Sequence, residues 1–457
     1  IIIMKKYSIL INLLVLFFII NECQSQSLST RVVTSNLDTP WEILWGPDNF
    51  IWMTERASKI SRVNPETGEV KQLLQIDEVY ENGESGLMGL ALHPNFQSNP
   101  YVYVAYSYRV SGVVKNKVVR YEYSNDNLLN PKTMIDNIDG SSIHNGSRLL
   151  FGPDGMLYAT FGDASQSSNA QNLNSLNGKI LRMTDDGEIP TDNPIQNSYI
   201  WTFGHRNPQG LVFIGNQLFS SEHGPSTDDE INIILKGRNY GWPDVTGYCD
   251  NQNEIAFCQE HNVVEPIKAW TPTIAPAGLD FYDNDKISEW KNSLLLVSLK
   301  ASRLIQLQLN QDKTAIIKEK QYFVDTYGRL RDLCISPDGR VFIATSNRDG
   351  RGNPAQDDDK IIEISMQGTG VKDGGNNNSI QIKQNSDNPY LIEITSLYPQ
   401  INIEIFDVLG QIYYSKSNLD SYHFTLDLTQ VYSLANTQVI FIKVNNQKNS
   451  LISKILI

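Results

Sequence analysis

The chain has 457 residues, of which 40% are hydrophobic and 19% are charged, a composition typical of a globular protein with a sizeable core. Its net charge is -13, from 51 acidic and 38 basic side chains, which excludes nucleic acid as an expected ligand because neutralising a phosphate backbone requires clustered Lys and Arg. The composition also excludes a multi-pass membrane protein and a small disulfide-dense domain.

The N-terminal region has the pattern of a secretion signal. Lys5 and Lys6 precede an apolar run at 9–20 that is too short to span a bilayer comfortably, and polar residues follow it. We therefore predict a signal peptide over residues 1–26 and no stable membrane span. The protein is expected to pass through the periplasm and to be secreted or held at the cell surface. A lipid anchor on Cys23 is the alternative, although the residues before it match a lipidation signal poorly.

From about Val32 to Ser365 the sequence consists of short strand patterns joined by tight turns. Pro-Asp-Gly at 153–155 and at 337–339 fits a chain reversal, because Pro presets its torsion and Gly accepts positive φ. No long stretch keeps a helical period. Repeated hairpins without helices favour a propeller or a sandwich, and the span is long enough for about six four-stranded blades. We predict an all-β fold with a six-bladed β-propeller over residues 27–369.

Two polar segments could carry chemistry. His144 lies beside Gly146 and could act as a general base, because neutral imidazole accepts a proton near neutral pH. The alternative is a polar loop histidine bonded to backbone. Arg206, in the segment 204–210, offers a donor fork for a carboxylate or carbonyl oxygen, or it closes a turn against a carboxylate.

The segment 222–230 is rich in oxygen ligands, and further turn residues follow at 240–250. Carboxylates and turn carbonyls suit calcium, which takes roughly six to eight oxygens. The alternative is a solvated acidic loop. Within the same region, the spacing of Cys249 and Cys258 suggests a disulfide that closes the loop in an exported protein. Cys334 lies in a strand pattern and is expected to be buried.

Three cations follow on strand-like stretches. Arg329 and Arg331 are two positions apart, so in a strand they point to one face. With Lys300 and Arg206 they could form a pocket for a polyanion; exposed edge charge is the alternative.

The composition changes after Gly368. Residues 370–378 form a Gly/Asn linker, and residues 379–457 contain several short strand patterns. We predict a small C-terminal β-sandwich module.

The order of these motifs resembles the soluble PQQ-dependent glucose/sorbosone (aldose sugar) dehydrogenase family from about Trp41 to Ile364. The segments that carry the resemblance are 86–94, 144–146, 204–210, 221–225, 229–232, 239–243, 272–276 and 329–332. It implies a six-bladed propeller with PQQ and Ca²⁺ at the top of the central channel. It further implies an oxidoreductase that oxidises aldoses to lactones and passes the electrons to an acceptor that the sequence does not identify.

The resemblance also implies residue roles. His144 matches the base that takes the proton of the anomeric hydroxyl while hydride passes to PQQ, and Arg206 matches the arginine that polarises the quinone carbonyl. The positions that match cofactor-binding residues are Asn207, Thr273, Lys300, Arg329 and Arg331. A cationic pocket suits the three carboxylates of PQQ.

The implied metal positions fall in two groups. Gly224 and Pro225 match carbonyl ligands of the cofactor-side calcium. Thr246 and Tyr248, by carbonyl, and the Asp250 carboxylate resemble a second, structural calcium site. Asp229, Glu230 and Tyr240 lie in the same loop and are expected to share it.

Two departures from the family concern the sugar. Glu84, the expected substrate contact, stands where the glucose enzymes have glutamine, and Ile143 stands where they have aspartate before the histidine. They favour a broader aldose enzyme over a glucose-specific one.

The C-terminal module resembles the sorting domain of the type IX secretion system, on the segments 401–411, 424–428, 441–444 and 453–457. This implies the type IX machinery as a partner; a carbohydrate-binding or adhesion module is the alternative. For the whole chain, the other hypotheses are a calcium-dependent lactonase on a similar propeller and a non-catalytic propeller that binds carbohydrate or protein.

Overall fold

A computed structural model describes residues 28–366, 380–384, 388, 390–396, 398–407, 411–431, 439–446 and 450–456. The predicted signal peptide (1–26) and linker (370–378) lie outside these residues. The chain divides into two compact units: one is Ser29–Ser365, and the described residues from Met366 onward fall in the other.

The first unit is built from four-stranded antiparallel sheets, and within residues 28–366 these number six. Strand β1 is Leu28–Thr34. The next three sheets each consist of four consecutive strands. These are Pro40–Trp45, Ile51–Glu55, Lys59–Val63 and Val70–Gln75 (β2–β5); Leu87–Leu92, Tyr101–Val110, Val113–Ser124 and Asn127–Asp139 (β6–β9); and Leu149–Phe151, Leu157–Phe161, Lys179–Met183 and Ile200–Phe203 (β10–β13).

The remaining strands of the unit complete the series. They are Pro208–Ile214, Gln217–Glu222, Asp229–Ile234 and Lys268–Trp270 (β14–β17); Pro276–Tyr282, Ser293–Ser298, Arg303–Leu309 and Ile316–Tyr322 (β18–β21); and Leu330–Ile335, Val341–Thr345 and Ile361–Met366 (β22–β24). The last sheet has the order β1-β24-β23-β22, so the first strand supplies its fourth position.

Apolar clusters join neighbouring sheets, and β18 packs against β22. Trp52 and Leu90 belong to one cluster shared by β2–β5 and β6–β9, and Tyr158 and Leu211 belong to another shared by β10–β13 and β14–β17. A further cluster contains Ile51 and residues of β22–β24, so the last sheet also packs on the first of the consecutive sheets. The sheets therefore form a closed cycle with the core between them.

The predicted Pro-Asp-Gly reversal at 153–155 is a tight turn between β10 and β11. The Gly152 N–H donates to the Met156 carbonyl at 2.9 Å, and Gly155 has φ of 75°, which glycine accepts at no steric cost. The predicted disulfide between Cys249 and Cys258 is present, and Cys334 is buried as expected.

Helix α1, Gln252–His261, is an element that the sequence patterns do not predict. It has no buried residue, so it lacks the apolar stripe from which a helix is usually recognised. Asn251 caps its first turn by accepting hydrogen bonds from the N–H groups of Asn253 and Glu254. Three short 3₁₀ turns also occur in the described residues, at Ser167–Asn169, Ser288–Trp290 and Leu428–Gln430.

The described strands of the second unit are Ile380–Gln384, Leu391–Ser396, Ile401–Phe406, Ile412–Leu419, His423–Asp427, Val439–Asn445 and Ser450–Leu456 (β25–β31). They form two antiparallel sheets, of order β25-β26-β29 and β28-β27-β30-β31. Both sheets contribute to one apolar cluster, and β27 alternates buried Ile with half-buried residues, as the period of a strand requires.

Candidate active site

The predicted site residues approach one end of the first unit because they precede the first strands of successive sheets. Glu84 comes shortly before β6, His144 before β10 and Arg206 before β14. Thr273 and Arg329 occupy the same place before β18 and β22. Since the sheets repeat one strand order and pack side by side, these entry segments meet.

His144 is hydrogen-bonded to Asp163, which lies in the loop between β11 and β12. The distance from His144 Nδ1 to Asp163 Oδ1 is 2.8 Å. The same carboxylate accepts from the Ser165 N–H at 2.8 Å and from the Trp242 indole N–H at 2.9 Å. Because a carboxylate only accepts hydrogen bonds, Nδ1 carries the proton of the neutral imidazole, and the lone pair of that tautomer lies on Nε2. This arrangement suits a general base.

Glu222, at the end of β15, holds the segment that carries Arg206. One carboxylate oxygen accepts from the backbone N–H groups of Arg206 and Asn207, and the other lies 2.9 Å from His205 Nδ1. The Arg206 side chain donates to the His223 carbonyl at 3.2 Å and lies 5.4 Å from the centre of the Trp242 ring. Burial lowers the pKa of Arg206.

A chain of hydrogen bonds joins Asn207 to Arg331. Asn207 Oδ1 accepts from Gln209 Nε2 at 3.0 Å, and Gln209 Oε1 accepts from Arg331 Nη1 at 2.9 Å. Three buried donors of this region have no hydrogen-bond partner among the described residues: Asn207 Nδ2, Arg206 Nε and Arg331 Nε. Buried donors without acceptors are costly, so the site is suited to a ligand rich in oxygen.

A cavity of about 210 Å³ lies beside this series of hydrogen bonds, with Gln209 and Arg331 in its wall. It brings together four of the predicted residues: Glu84, Lys300, Arg329 and Arg331. Arg329 and Arg331 line the same cavity, although β22 begins at Leu330 and Arg329 therefore lies outside the strand that the spacing argument assumed. His223 is also in its wall; burial lowers the pKa of His223 to about 4, so its imidazole is neutral at neutral pH.

The cations of this cavity differ in their partners. Arg56 is paired with Glu81 at 3.0 Å, and Arg329 with Asp349 at 2.7 Å. Lys300 donates to the Thr273 hydroxyl at 2.7 Å. Among the described residues, neither Lys300 nor Arg331 forms an ion pair. Burial lowers the pKa of Arg331 to about 10, as expected for a cation without a directly bonded carboxylate.

The expected calcium ligands are brought only partly together. Gly224, Pro225, Glu230, Tyr240 and Thr246 line a second small cavity of about 20 Å³ beside Arg206. Tyr248 and Asp250 are exposed and do not line it. Within the described part of the chain, no group of three His, Cys, Asp or Glu side chains is arranged to hold a metal ion.

Three of the expected side-chain ligands already bond to protein groups. Asp229 accepts from the N–H groups of Gly224, Ile274 and Ala275. The Tyr240 hydroxyl donates to a carbonyl and accepts from a backbone N–H. Glu230 accepts from Asn232 and Gly247, and burial, with the neighbouring Glu222, raises its pKa to about 8. The side chains of Asp229, Glu230 and Tyr240 therefore hold the loop in its conformation by hydrogen bonds.

Several residues of the site are not found by the sequence reasoning. Asp163, Gln209, Glu222 and Arg351 each contact a predicted residue but are distant from it in sequence or lie in unremarkable motifs. Gln209, within the segment 204–210, and Glu222, within the segment 222–230, lay in segments that the sequence singles out, but neither was assigned this role.

The chain is similar to known sugar dehydrogenases. A family model described as glucose/sorbosone dehydrogenase matches residues 37–354. The sequence is 34% identical over 429 residues to quinoprotein glucose dehydrogenase B of Acinetobacter calcoaceticus, covering 74% of this chain and 89% of that protein. It is 31% identical over 345 residues to the aldose sugar dehydrogenase YliI of Escherichia coli, covering 71% and 91%.

A solved structure gives the same result. The PQQ-bound aldose sugar dehydrogenase of Streptomyces coelicolor matches with a TM-score of 0.66 and 33% identity, over 74% of this chain and 98% of that one. No helix in the described residues is long and apolar enough to cross a membrane.

Proposed function

Because the chain belongs to the glucose/sorbosone dehydrogenase family, we propose that it is a PQQ-dependent oxidoreductase that converts aldose sugars to lactones at the anomeric carbon. The observation that carries this proposal is the cavity in which Lys300 and Arg331 lie without ion-pair partners. PQQ carries three carboxylates, which these cations would neutralise. The unpaired donors on Asn207, Arg206 and Arg331 fit its remaining oxygens.

The chain's residues divide the work. Lys300, Arg329, Arg331, Asn207 and Thr273 would hold the cofactor, which supplies the acceptor for the hydride of the sugar. Arg206 would stabilise negative charge that develops on an oxygen beside it. His144 would take the hydroxyl proton at Nε2, while Asp163 stabilises the imidazolium that forms. Glu84 would contact the sugar near His144.

Most of the proposed calcium ligands are backbone carbonyl oxygens. Gly224 and Pro225 line the small cavity beside Arg206, and their carbonyls would serve the cofactor-side ion. The carbonyls of Thr246 and Tyr248 with the Asp250 carboxylate would serve a second ion. The Thr246 and Asp250 N–H groups both donate to Glu254, which keeps the ends of this turn together.

The six sheets of residues 28–366 would be the blades of a six-bladed propeller. The second unit, with its two sheets and shared core, would be a β-sandwich that the type IX secretion machinery recognises. The signal peptide would direct the chain through the periplasm, to be secreted or held at the cell surface.

The test is dye-linked oxidation of an aldose panel by purified apo-protein, with and without PQQ and Ca²⁺. We expect activity only when PQQ is added, with Ca²⁺ increasing it. The matched variant His144→Ala should bind PQQ, seen by its absorbance, and lose turnover. Absence of sugar oxidation by the loaded protein would contradict the proposal, and hydrolysis of a lactone with Ca²⁺ alone would favour the lactonase instead.

A further inference from the structure

Glu84 connects the candidate base to the open side of the cavity. One carboxylate oxygen accepts from the His144 backbone N–H at 3.2 Å, and the other accepts from Arg351 Nη1 at 2.7 Å. The Glu84 side chain is 21% exposed and that of Arg351 is 56% exposed. A molecule that reaches His144 through this opening therefore passes an ion pair.

Glu84 remains ionised in this position. Burial alone would raise its pKa, but the nearby guanidinium groups of Arg351 and Arg331 and the hydrogen bond from the His144 N–H lower it below the ordinary value. The other carboxylate in the cavity wall, Asp349, is nearly buried and is paired with Arg329. The pair of Glu84 and Arg351 is therefore the one in this wall whose charges a sugar can reach.

We propose that Arg351 is a specificity-determining residue: by neutralising Glu84 beside His144, it makes the sugar subsite accept uncharged aldoses in preference to uronic acids and amino sugars. This rests on the proposed function. A neutral sugar can hydrogen-bond to both partners and leave their pairing intact.

A charged sugar would have to break the pair. The carboxylate of a uronic acid is repelled by the Glu84 carboxylate, and it can pair with Arg351 only by displacing Glu84 from that arginine. The ammonium of an amino sugar is repelled by Arg351, and it can pair with Glu84 only by displacing Arg351 from that carboxylate. Because one partner of a charged hydrogen bond is always left without its counter-charge, both classes are disfavoured.

The experiment compares Glu84→Gln, Arg351→Gln and the double variant in the PQQ-loaded protein. The substrates are D-glucose, D-glucuronate and D-glucosamine at about pH 6.5, where an amine is largely protonated. Arg31→Gln is the control, because Arg31 is 46% exposed, is paired with Glu363 and lies in β1, away from the cavity. Relative binding of the three sugars is measured separately by saturation-transfer NMR.

We expect Glu84→Gln to raise the glucuronate-to-glucose ratio of kcat/KM by about tenfold, and Arg351→Gln to raise the glucosamine-to-glucose ratio by about tenfold. The double variant should return both ratios towards those of the unaltered protein, and high salt should shrink the shifts. Arg31→Gln should change neither ratio.

Unchanged ratios in both single variants, in turnover and in binding, would overturn the inference even if glucose is oxidised. If the unaltered protein oxidises no aldose, the proposed function fails instead. The binding ratios then still decide whether this pair selects neutral sugars.

Discussion

The carboxylate of Asp163 defines what His144 can do. It accepts three hydrogen bonds, from the imidazole, from the Ser165 N–H and from the Trp242 indole. Two of these fix the carboxylate, so the third fixes the imidazole. Sequence reasoning identifies His144 because a histidine has few roles beside glycine in an entry segment, but an aspartate in a loop has many. The pairing of His144 with Asp163 depends on the position where β10 begins beside the position where β11 ends, and no local sequence pattern predicts that.

Replacement of Asp163 by Asn should impair the base without removing it. An amide can donate to Nδ1 and favours the tautomer with its proton on Nε2, which cannot accept the sugar's proton. We expect kcat to fall by roughly 10²- to 10⁴-fold while PQQ absorbance in the protein is retained. The control is Asp244→Asn, an exposed carboxylate in the same loop as Trp242. Equal activity of the two variants would contradict the role of Asp163.

Asp280 in β18 gives a pH-dependent prediction. Burial, with the nearby Asp332, raises its pKa from 3.8 to about 7. A carboxyl whose folded-state pKa is raised stabilises the fold at low pH, and this contribution is lost as the pH rises from about 4 through about 7.

Asp280→Asn should therefore unfold with a free energy that falls less between about pH 4 and pH 8 than that of the unaltered protein. The expected difference is on the order of 3 kcal/mol, measured by urea denaturation at each pH. Asp283→Asn, an exposed neighbour, should follow the unaltered protein. Parallel pH curves for Asp280→Asn and the unaltered protein would show that Asp280 ionises normally.

At the scale of elements, the entry segments and loops are ordered by buried side chains rather than by their own turn propensity. Lys179 in β12 is fully buried and donates to the carbonyls of Asn169 at 2.8 Å, Ala170 at 3.0 Å and Asn177 at 2.8 Å. These carbonyls belong to the same long loop that presents Asp163. One ammonium thus satisfies three backbone acceptors that the loop cannot satisfy itself.

Lys179→Met should loosen this loop. Three buried carbonyls would lose their donor, at about 1–3 kcal/mol each if none is rehydrated, and we expect a loss of about 3 kcal/mol in the free energy of unfolding. Because the loop carries Asp163, kcat should also fall. Lys132→Met, which removes a half-exposed lysine paired with Asp186, should change stability by about 0.5 kcal/mol or less. Similar denaturation midpoints for the two variants would rule out this function of Lys179.

Strands and tight turns were predictable from sequence because their signals are local. The alternation of β27 and the Pro-Asp-Gly turns depend only on neighbouring residues. Helix α1 was not predictable from periodicity, since it buries nothing and depends on a cap and a disulfide. The pairing of Arg351 with Glu84 spans 267 positions and follows only from closure of the cycle of sheets.

At the scale of the whole molecule, the two units carry separate cores. The apolar cluster of the second unit contains residues of β25–β31 and no residue of the first unit. All of the candidate site lies within Ser29–Ser365. Catalysis and export are therefore expected to be separable functions of one chain.

Deletion of residues 378–457 should leave PQQ-dependent activity and the thermal midpoint of the first unit unchanged, because the deletion removes no group of the site or of its core. The truncated chain should accumulate inside the cell envelope of a type IX-competent host, which fractionation and immunoblotting measure. As the control, residues 379–457 are fused to an unrelated passenger protein that carries the signal peptide, and this module should direct export of the passenger. Normal export of the truncated chain would contradict the sorting hypothesis.

The position of β1 in the last sheet has a consequence for biosynthesis. Its Ser29 hydroxyl meets that of Ser365 at 3.0 Å, across 336 positions of sequence. The first strand of this unit thus pairs only after the unit's last strand has been synthesised, and until then it is an unpaired edge. The polar side chains of this strand, half-buried Ser29 and exposed Thr30 and Arg31, are compatible with that delay in water. The cycle of sheets therefore closes only after the whole first unit has been synthesised.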